Sequence, residues 1–229
     1  MPVTSEGKVA AVIPARNEEA TVGDVVAAAC AASTVDEVIV VDNGSSDDTA
    51  RRAAERGAAV IVEPRQGKGE AMRSGVDTTE AQLIVFLDAD LVGLRPDHVD
   101  ALVTAVRDDG AAMACGLFDR GPLLNPLFLH VLPALTGERA LGRDLFDALD
   151  PEYVRGYRVE AGLNSLAEER GLPVVRFVCD GMWHRPKEQK MGPLQGFAAK
   201  VSMLATAVGA YAMWRFRRRV GAAVFRRGR

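Results

Sequence analysis

The sequence predicts an α/β fold built on a mostly parallel β-sheet with helices on both faces. Short apolar runs without polar alternation recur through the first half of the chain, and stretches with helical periodicity separate them. Runs of this kind are typical of strands that are buried on both faces, as in a parallel sheet. The 229 residues, 48% of them hydrophobic, suit one globular domain with or without a tail.

Strands and helices are predicted to alternate along the chain. Apolar runs predict strands at residues 9–13, 37–41, 59–62, 83–87, 111–116 and 173–178. Helical periodicity predicts helices at about residues 18–32, 47–56, 69–78, 96–107 and 161–169. Because strands that alternate with helices are typical of βαβ units, the first four strands should run parallel.

Charge and cysteine content narrow the class of protein. The net charge of −3 gives no indication of nucleic-acid binding. Residues 176–229 carry 12 Lys and Arg against 2 Asp and Glu, whereas the rest of the chain is strongly acidic, so the end is expected to have its own role. Three widely spaced cysteines argue against a disulfide framework or a zinc site and favour a reducing cytosol. No secretory signal is expected at the start.

Polar, turn-rich segments follow each of the first four predicted strands. These segments are residues 14–19, 42–47, 63–69 and 88–90. In open α/β sheets, ligands bind beyond the carboxyl ends of the strands. We therefore expect a pocket with carboxylates, glycines and a lysine at this edge of the sheet.

Asp88 and Asp90 are the residues that most clearly suggest chemistry. They leave the end of a buried strand with one residue between them, and like charges at that distance repel unless a cation lies nearby. Mg²⁺ prefers oxygen ligands and keeps waters or phosphate oxygens in its shell. The pattern predicts a divalent metal that bridges the protein to a diphosphate; the alternative is a surface turn rich in aspartate.

Lys68 lies between two glycines in the segment after the third strand. Glycines allow close backbone approach and a lysine attracts phosphate, although the same segment would also suit a flexible turn. The chain has no Gly-Lys-Ser/Thr Walker loop, and residues 14–18 lack the glycine fingerprint of a dinucleotide site. Asp42, at the end of the second strand, is placed to accept a hydrogen bond from a base N–H.

Four stretches together resemble the family-2 type of glycosyltransferase with the GT-A fold. They are VIPARNEE at 12–19, VVDNGSSDDT at 40–49, GKGEAMRSG at 67–75 and FLDADL at 86–91. Within the family, the GKGEA and LTG elements are most similar to glucosyl-3-phosphoglycerate synthases and polyprenyl-phosphate sugar synthases. The resemblance implies a GT-A domain over residues 1–195, with a nucleotide-sugar half at about 8–92 and an acceptor half at 93–195.

The resemblance implies roles on the nucleotide side of the site. Pro14, Ala15 and Glu18 would lie against the nucleoside, and Asp42 would accept from a uracil or guanine base. Lys68 would lie near the nucleotide phosphates.

The resemblance also implies a metal centre for Mg²⁺ or Mn²⁺. Asp90 would bind the metal, Asp88 would contact the ribose or a metal-bound water, and His184 would complete the metal shell, since imidazole suits such metals beside carboxylates. The alternative for His184 is an ordinary, partly buried histidine.

On the acceptor side, the resemblance assigns four further residues. Thr136 and Arg139 are candidate acceptor contacts, and Arg185 would stabilise a departing diphosphate. Glu160 would face the sugar and is the candidate base for a hydroxyl nucleophile, although a charge at the start of a helix is an equal alternative.

These roles define a metal-dependent transfer of a hexose from a UDP- or GDP-linked sugar to a phosphate-bearing acceptor. The main hypothesis is a polyprenyl phosphate or another lipid-linked acceptor at a membrane face, and the alternative is a soluble enzyme like the glucosyl-3-phosphoglycerate synthases. A non-catalytic nucleotide-binding protein is a further alternative. A sugar-phosphate nucleotidyltransferase would carry a glycine-rich loop after the first strand, where this chain has none.

The last part of the chain, residues 196–229, is expected to form an apolar helix and an Arg-rich tail. Residues 201–214 carry no charge and precede seven arginines. Fourteen residues are fewer than the about 20 that a membrane span needs. The pattern fits a helix on an anionic membrane surface, with the apolar segment 122–135 as the acceptor entry; the alternative is a helix packed on the core. We expect a cytoplasmic protein, peripheral on the inner face of the cell membrane, and leave a homodimer open.

Overall fold

The computed structural model describes residues 7–119, 121, 125, 136–156 and 158–185. The apolar segment 122–135, apart from Asn125, and the tail after Arg185 lie outside the described residues. The predictions of an acceptor entry, of a C-terminal helix and of a domain boundary at residue 195 therefore remain predictions. Among the helices within the described ranges, none combines the length and the apolar character that crossing a bilayer requires.

The strands and helices follow the predicted alternation. The strands are β1 (Val9–Ala15), β2 (Glu37–Asp42), β3 (Ala59–Val62), β4 (Leu83–Phe86), β5 (Leu91–Val92), β6 (Met113–Phe118), β7 (Arg139–Gly142), β8 (Val174–Cys179) and β9 (Trp183–His184). The helices are α1 (Val22–Ala31), α2 (Thr49–Glu55), α3 (Lys68–Thr78), α4 (Pro96–Arg107), α5 (Arg143–Asp147) and α6 (Val159–Glu169).

Seven strands form one mostly parallel sheet in the order β3-β2-β1-β4-β7-β6-β8. Strands β1 to β4 run parallel to one another, and β6 is parallel to β8. Strand β7 lies between β4 and β6 and runs antiparallel to both. This architecture confirms the predicted α/β fold with a mostly parallel sheet.

Two apolar cores cover the two faces of the sheet. Helices α1 and α4 pack on one face, where Val9, Ala11 and Ile13 of β1 point. Helices α3, α5 and α6 pack on the other face, where Ala10 and Val12 point. Since alternate residues of β1 enter different cores, every side chain in the strand is apolar, which is the reason for the absence of polar alternation in the sequence.

Strand β7 was not predicted from the sequence. It has four residues, it begins with a charged arginine, and it carries no apolar run of its own. Its pairing partners Leu83–Phe86 and Met113–Cys115 lie far away in the chain, and these contacts, not local propensity, make it a strand. The insertion of β7 brings residues 136–138 beside the carboxyl end of β4.

Helix α1 begins at Val22 and not near residue 18 as predicted. The backbone N–H of Glu18 donates to the hydroxyl of Thr49 at 2.8 Å, and that of Glu19 donates to Asp47 at 3.2 Å. The Thr21 hydroxyl donates to the carbonyl of Ala89. These contacts hold residues 18–21 as a turn against neighbouring loops, so the segment stays at the ligand edge of the sheet.

Candidate functional site

The four polar segments meet at one edge of the sheet, as predicted. The strand register places Ala15 beside Asp42, and Asp42 beside Val62. Asp88 follows Phe86, the last residue of β4, by two positions. The parallel direction of β1 to β4 therefore delivers all four segments to the same place.

The loops after β1 and β2 are joined by hydrogen bonds. Asn17 has a positive φ of 54°, and its side-chain oxygen accepts from the backbone N–H of Ser46 at 2.8 Å. The backbone N–H of Asn17 donates to Ser45, and that of Ser45 donates to the buried Asp42 carboxylate at 3.0 Å. Pro14 and Ala15 end β1 at the base of this surface. These bonds tie Asp42, one of the predicted nucleoside contacts, to the loop that contains Asn17.

Asn43, which was not predicted as a site residue, fixes the loop that carries Lys68. Its amide nitrogen donates to the carbonyls of Glu63 and Arg65, and its oxygen accepts from the backbone N–H of Gly67 at 2.8 Å. An asparagine after a strand has no distinctive pattern of its own, so only the three-dimensional contacts reveal this function.

Gly69 permits a close approach between helix α3 and the segment before α6. A Cβ atom at Gly69 would lie 2.7 Å from the carbonyl oxygen of Val154, which is closer than real Cβ contacts. The backbone N–H of Gly69 donates to the carbonyl of Gly156, and the N–H of Gly156 donates to Glu70. The glycines and Glu70 of the GKGEA segment therefore dock the chain that leads into Glu160.

Lys68 joins two carboxylates that are far apart in the sequence. Its Nζ lies 2.6 Å from Oδ1 of Asp88 and 2.7 Å from Oε1 of Glu160, and all three side chains are largely buried. Burial disfavours the ammonium, but the charges and hydrogen bonds of Asp88 and Glu160 outweigh it and raise the pKa of Lys68 above its usual value. The lysine is therefore a fixed positive charge at the centre of the site.

His184 lies against both aspartates of the DAD segment. Its Nδ1 is 2.8 Å from Oδ1 of Asp90, and its Nε2 is 3.9 Å from Oδ2 of Asp88. Strand β9 pairs with β5, so His184 stands opposite Leu91, the residue after Asp90. The ring of Phe118 packs on the imidazole with 4.1 Å between centroids. Burial opposes the charged imidazole, but Asp90, Glu138 and Asp88 raise its pKa to about 9.

Glu138 is a further acidic residue at this place that was not predicted. It is fully buried, directly before β7, and its Oε2 lies against the Thr136 hydroxyl. Burial and the charge of Asp88 raise the pKa of Glu138 to about 7. Gly137 makes room for this arrangement, because a Cβ there would lie 2.3 Å from Oδ1 of Asp88.

The residues present fit a divalent cation. One ligand atom each of Asp88, Glu138 and His184 lies within 4.8 Å of the others, and Asp90 contacts the imidazole. Opposite ligands of an octahedral Mg²⁺ lie about 4.2 Å apart, so the cluster is close to the size of one metal shell. Oxygen and imidazole ligands together also suit Mn²⁺. Four carboxylates, those of Asp88, Asp90, Glu138 and Glu160, face one lysine and one histidine, which leaves negative charge for a cation to balance.

The structure places the other predicted site residues around this cluster. Thr136 and Arg139 are buried: the Thr136 hydroxyl contacts the carbonyl of Gly116 at 2.8 Å, and the Arg139 guanidinium donates to the carbonyl of Thr136. Arg185 donates its backbone N–H to the carbonyl of Asp90, and it lines a groove with Trp183. The acceptor and diphosphate roles of these residues remain predictions.

The mostly parallel sheet and the polar cluster at the carboxyl ends of its strands indicate the class of this protein. The family model described as glycosyl transferase family 2 matches residues 10–156. The chain belongs to glycosyl transferase family 2, and its sheet is that of the GT-A fold.

Two curated proteins are similar in sequence to this chain. Glucosyl-3-phosphoglycerate synthase of Mycobacterium tuberculosis is 33% identical over 193 residues, which cover 68% of this chain and 59% of that protein. Phosphoenolpyruvate guanylyltransferase of Sphaerobacter thermophilus is 32% identical over 135 residues, which cover 56% of this chain and 54% of that protein. The chain thus spans less than two thirds of the length of these curated relatives.

Solved structures of the mycobacterial synthase share the fold of this chain. A complex with phosphoglyceric acid has a TM-score of 0.74 and 30% identity, covering 92% of this chain and 80% of that chain. A complex with Mn²⁺, UDP and glucosyl-3-phosphoglycerate gives the same values. A complex with Mg²⁺ and UDP has a TM-score of 0.75 and 31% identity, covering 91% and 80%. The family and the GT-A fold expected from the sequence motifs are confirmed.

Proposed function

We propose that this chain is a metal-dependent glucosyltransferase that moves glucose from UDP-glucose to a small phosphorylated acid such as 3-phosphoglycerate. The observation that carries the proposal is the junction of Lys68 with Asp88 and Glu160, beside His184 and Asp90. This cluster supports the proposal because it combines the fixed positive charge of Lys68 with carboxylates and an imidazole that would suit a divalent metal.

The nucleotide half of the proposed site is formed by the loops after β1 and β2. Asp42 accepts from the base, and Pro14, Ala15 and Glu18 contact the nucleoside. The hydrogen bonds among Asn17, Ser45 and Asp42 preorganise this surface, so little ordering is needed when the nucleotide binds.

Negative charge develops on the departing nucleoside diphosphate as the sugar is transferred. A bound divalent cation, held by Asp90 and His184, would neutralise part of this charge. Lys68 adds a positive charge that is already in place and needs no reorganisation, which is the general advantage of preorganised electrostatics. Asp88 keeps the lysine oriented, and Arg185 contacts the leaving diphosphate.

Glu160 is the proposed link between the nucleotide and the sugar. One of its oxygens holds Lys68 at 2.7 Å, and the carboxylate lies at the start of α6. It accepts a hydrogen bond from a sugar or acceptor hydroxyl, and Thr136 and Arg139 stabilise the acceptor end of the site.

Relatives favour the small acceptor over the lipid-linked acceptor. The solved complexes of the mycobacterial synthase contain phosphoglyceric acid, glycerol 3-phosphate or glucosyl-3-phosphoglycerate, together with UDP or UDP-glucose in several cases. The nucleotidyltransferase alternative has less support, because residues 14–18 form no glycine-rich loop. A small acceptor that carries a phosphate is therefore the preferred second substrate for this chain.

A matrix of donors and acceptors tests the proposal. Labelled UDP-glucose and GDP-mannose are each incubated with 3-phosphoglycerate or a polyprenyl phosphate, with Mn²⁺ or with EDTA. The expected product is glucosylated phosphoglycerate, formed from UDP-glucose only when the metal is present. Transfer to polyprenyl phosphate alone would contradict the proposed acceptor, and absence of any transfer or of UDP-glucose hydrolysis would contradict a catalytic function.

A further inference from the structure

The candidate metal site contains one carboxylate whose role is not explained by the sequence motifs. Asp88, Glu138 and His184 each contribute an atom to a cluster within 4.8 Å. Asp88 has Lys68 as a partner, and His184 has Asp90. Glu138 lies directly before a different strand, β7, which borders β4 on the side away from β1.

One oxygen of Glu138 is satisfied and the other is not. Oε2 contacts the Thr136 hydroxyl, whereas Oε1 is buried and has no hydrogen-bond partner in the part of the chain that the structure describes. Leaving a carboxylate oxygen dry and unsatisfied costs free energy, so such atoms in native proteins usually mark a missing water, ion or ligand. The unsatisfied oxygen belongs to the group that faces Asp88 and His184.

The backbone around Glu138 is held by hydrogen bonds to β6. Its carbonyl accepts from the N–H of Gly116 at 2.9 Å, and the neighbouring Thr136 hydroxyl contacts the carbonyl of the same glycine. Both contacts fix the segment beside Gly116, within β6. A side chain anchored in this way holds one geometry, which is what a metal site requires of the groups that surround its ion.

We propose that Glu138 is an additional acidic group of the metal site, which holds the divalent cation through Oε1, directly or through a bound water, and raises the affinity for it. The inference rests on the proposed function, because it assumes that a divalent cation binds between the DAD segment and His184. It extends the site beyond the aspartates and histidine by the residue directly before β7.

The alternative is that Glu138 is only a structural carboxylate. In that case its replacement would lower the stability of the fold without a specific effect on the metal. Glu63 provides the matched control, because its carboxylate is also buried after a strand but has Arg65 and Ser74 as partners. Glu63 is not part of the cluster around His184.

Mn²⁺ binding to the full chain in the presence of UDP tests the proposal, with free Mn²⁺ measured by electron paramagnetic resonance. For E138Q, which keeps the size of the side chain, we expect the Kd for Mn²⁺ to rise about 10- to 100-fold. Binding of UDP in EDTA should stay within about twofold of the wild type, which a general disruption of the site would not allow. For E63Q, we expect a lower Tm but a Kd for Mn²⁺ within about twofold of the wild type.

Two results would overturn the proposal. The first is a folded E138Q with the Mn²⁺ affinity of the wild type. The second applies if E138Q fails to fold, in which case E138D is measured instead. E138D keeps the charge but shortens the side chain by one methylene, so it should raise the Kd for Mn²⁺ at least about fivefold. An unchanged Kd for E138D would overturn the inference. Absence of Mn²⁺ binding in the wild-type protein would instead overturn the proposed function itself.

Discussion

The two halves of the ligand edge are stabilised in different ways. The loops after β1 and β2 satisfy their polar groups among themselves, through Asn17, Ser45 and Asp42. The cluster around Asp88, in contrast, brings four carboxylates to one lysine and one histidine, and leaves Oε1 of Glu138 without a partner among the described residues. The named polar groups of the first region pair within that region, whereas the second region carries an excess of carboxylates that a bound cation would balance.

Replacement of Asp90 should have the largest effect on the cluster. We expect Asp90→Ala to lower kcat/KM about 10²-fold or more, because it removes the proposed metal contact and a hydrogen-bond partner of His184 at once. Steady-state assays with UDP-glucose and Mn²⁺ measure the effect. Asp109→Ala, an exposed aspartate after α4, is the control and should keep the wild-type rate. Near-wild-type turnover by the Asp90 variant would contradict the assignment of Asp90 to the metal site.

Removal of the positive charge of Lys68 should have the second-largest effect, a loss of stability of the fold. In Lys68→Met, Asp88 and Glu160 face each other without compensation, and breaking a buried ion pair of this kind costs about 3 kcal/mol or more. Urea unfolding in EDTA measures the loss, and added Mn²⁺ should recover part of it. Lys8→Met, at an exposed lysine, should change the free energy of unfolding by less than about 0.5 kcal/mol. Equal stability of both variants would show that the cluster needs no internal cation.

The contact between α3 and the chain before Glu160 can be broken by a single methyl group. Gly69→Ala would place a Cβ 2.7 Å from the Val154 carbonyl, and we expect a loss of about 1–3 kcal/mol with reduced kcat/KM. Gly23→Ala is the matched control on helix α1, where the nearest atom is 3.5 Å away, and it should stabilise the protein by about 0.5–1 kcal/mol. Thermal unfolding of both variants measures the contrast, and a stabilising Gly69→Ala would mean that the two segments do not dock as described.

The smallest expected effect is on the stability of the fold at acid pH, and it involves Glu63, which lies outside the cluster. Hydrogen bonds from Arg65 and Ser74 lower the pKa of Glu63 to about 2. Because the folded-state pKa is lower than the unfolded one, the stabilisation is present above about pH 4.5 and is lost as the pH falls towards 2. In E63Q this part of the acid dependence should be missing, so the Tm difference from the wild type should shrink between pH 5 and pH 3. A constant difference over that range would contradict the assigned pairing.

Local patterns predict the nucleotide half of the molecule well. The apolar runs of β1 to β4 are uninterrupted because both faces are buried, and Asp42, Lys68, Asp88 and Asp90 lie at or just after the ends of these strands. Any short window of sequence around these residues contains the strand, its end and the polar turn. The edge of the sheet and its carboxylates can therefore be predicted from the sequence alone.

The second half depends on contacts between distant residues. Glu138 enters the site because β7 pairs with β4 and β6, and neither partner is adjacent to it in the sequence. Glu160 meets Lys68 across 92 positions, and its neighbourhood resembles any helix start. His184 is identified through the family resemblance alone. Because these residues have no distinctive local pattern, the physical properties of the sequence do not place them together.

The pairing of β5 with β9 has a consequence for how this protein can vary. Two residues of backbone, Leu91 and Val92, hold His184 and Trp183 in register directly beside the DAD segment. The chain between these two short strands adds a second contact, because the ring of Phe118 packs on the imidazole of His184. A chimaera that exchanges part of this chain therefore has to keep Phe118, Glu138 and Glu160 if the surroundings of His184 and Lys68 are to stay as they are.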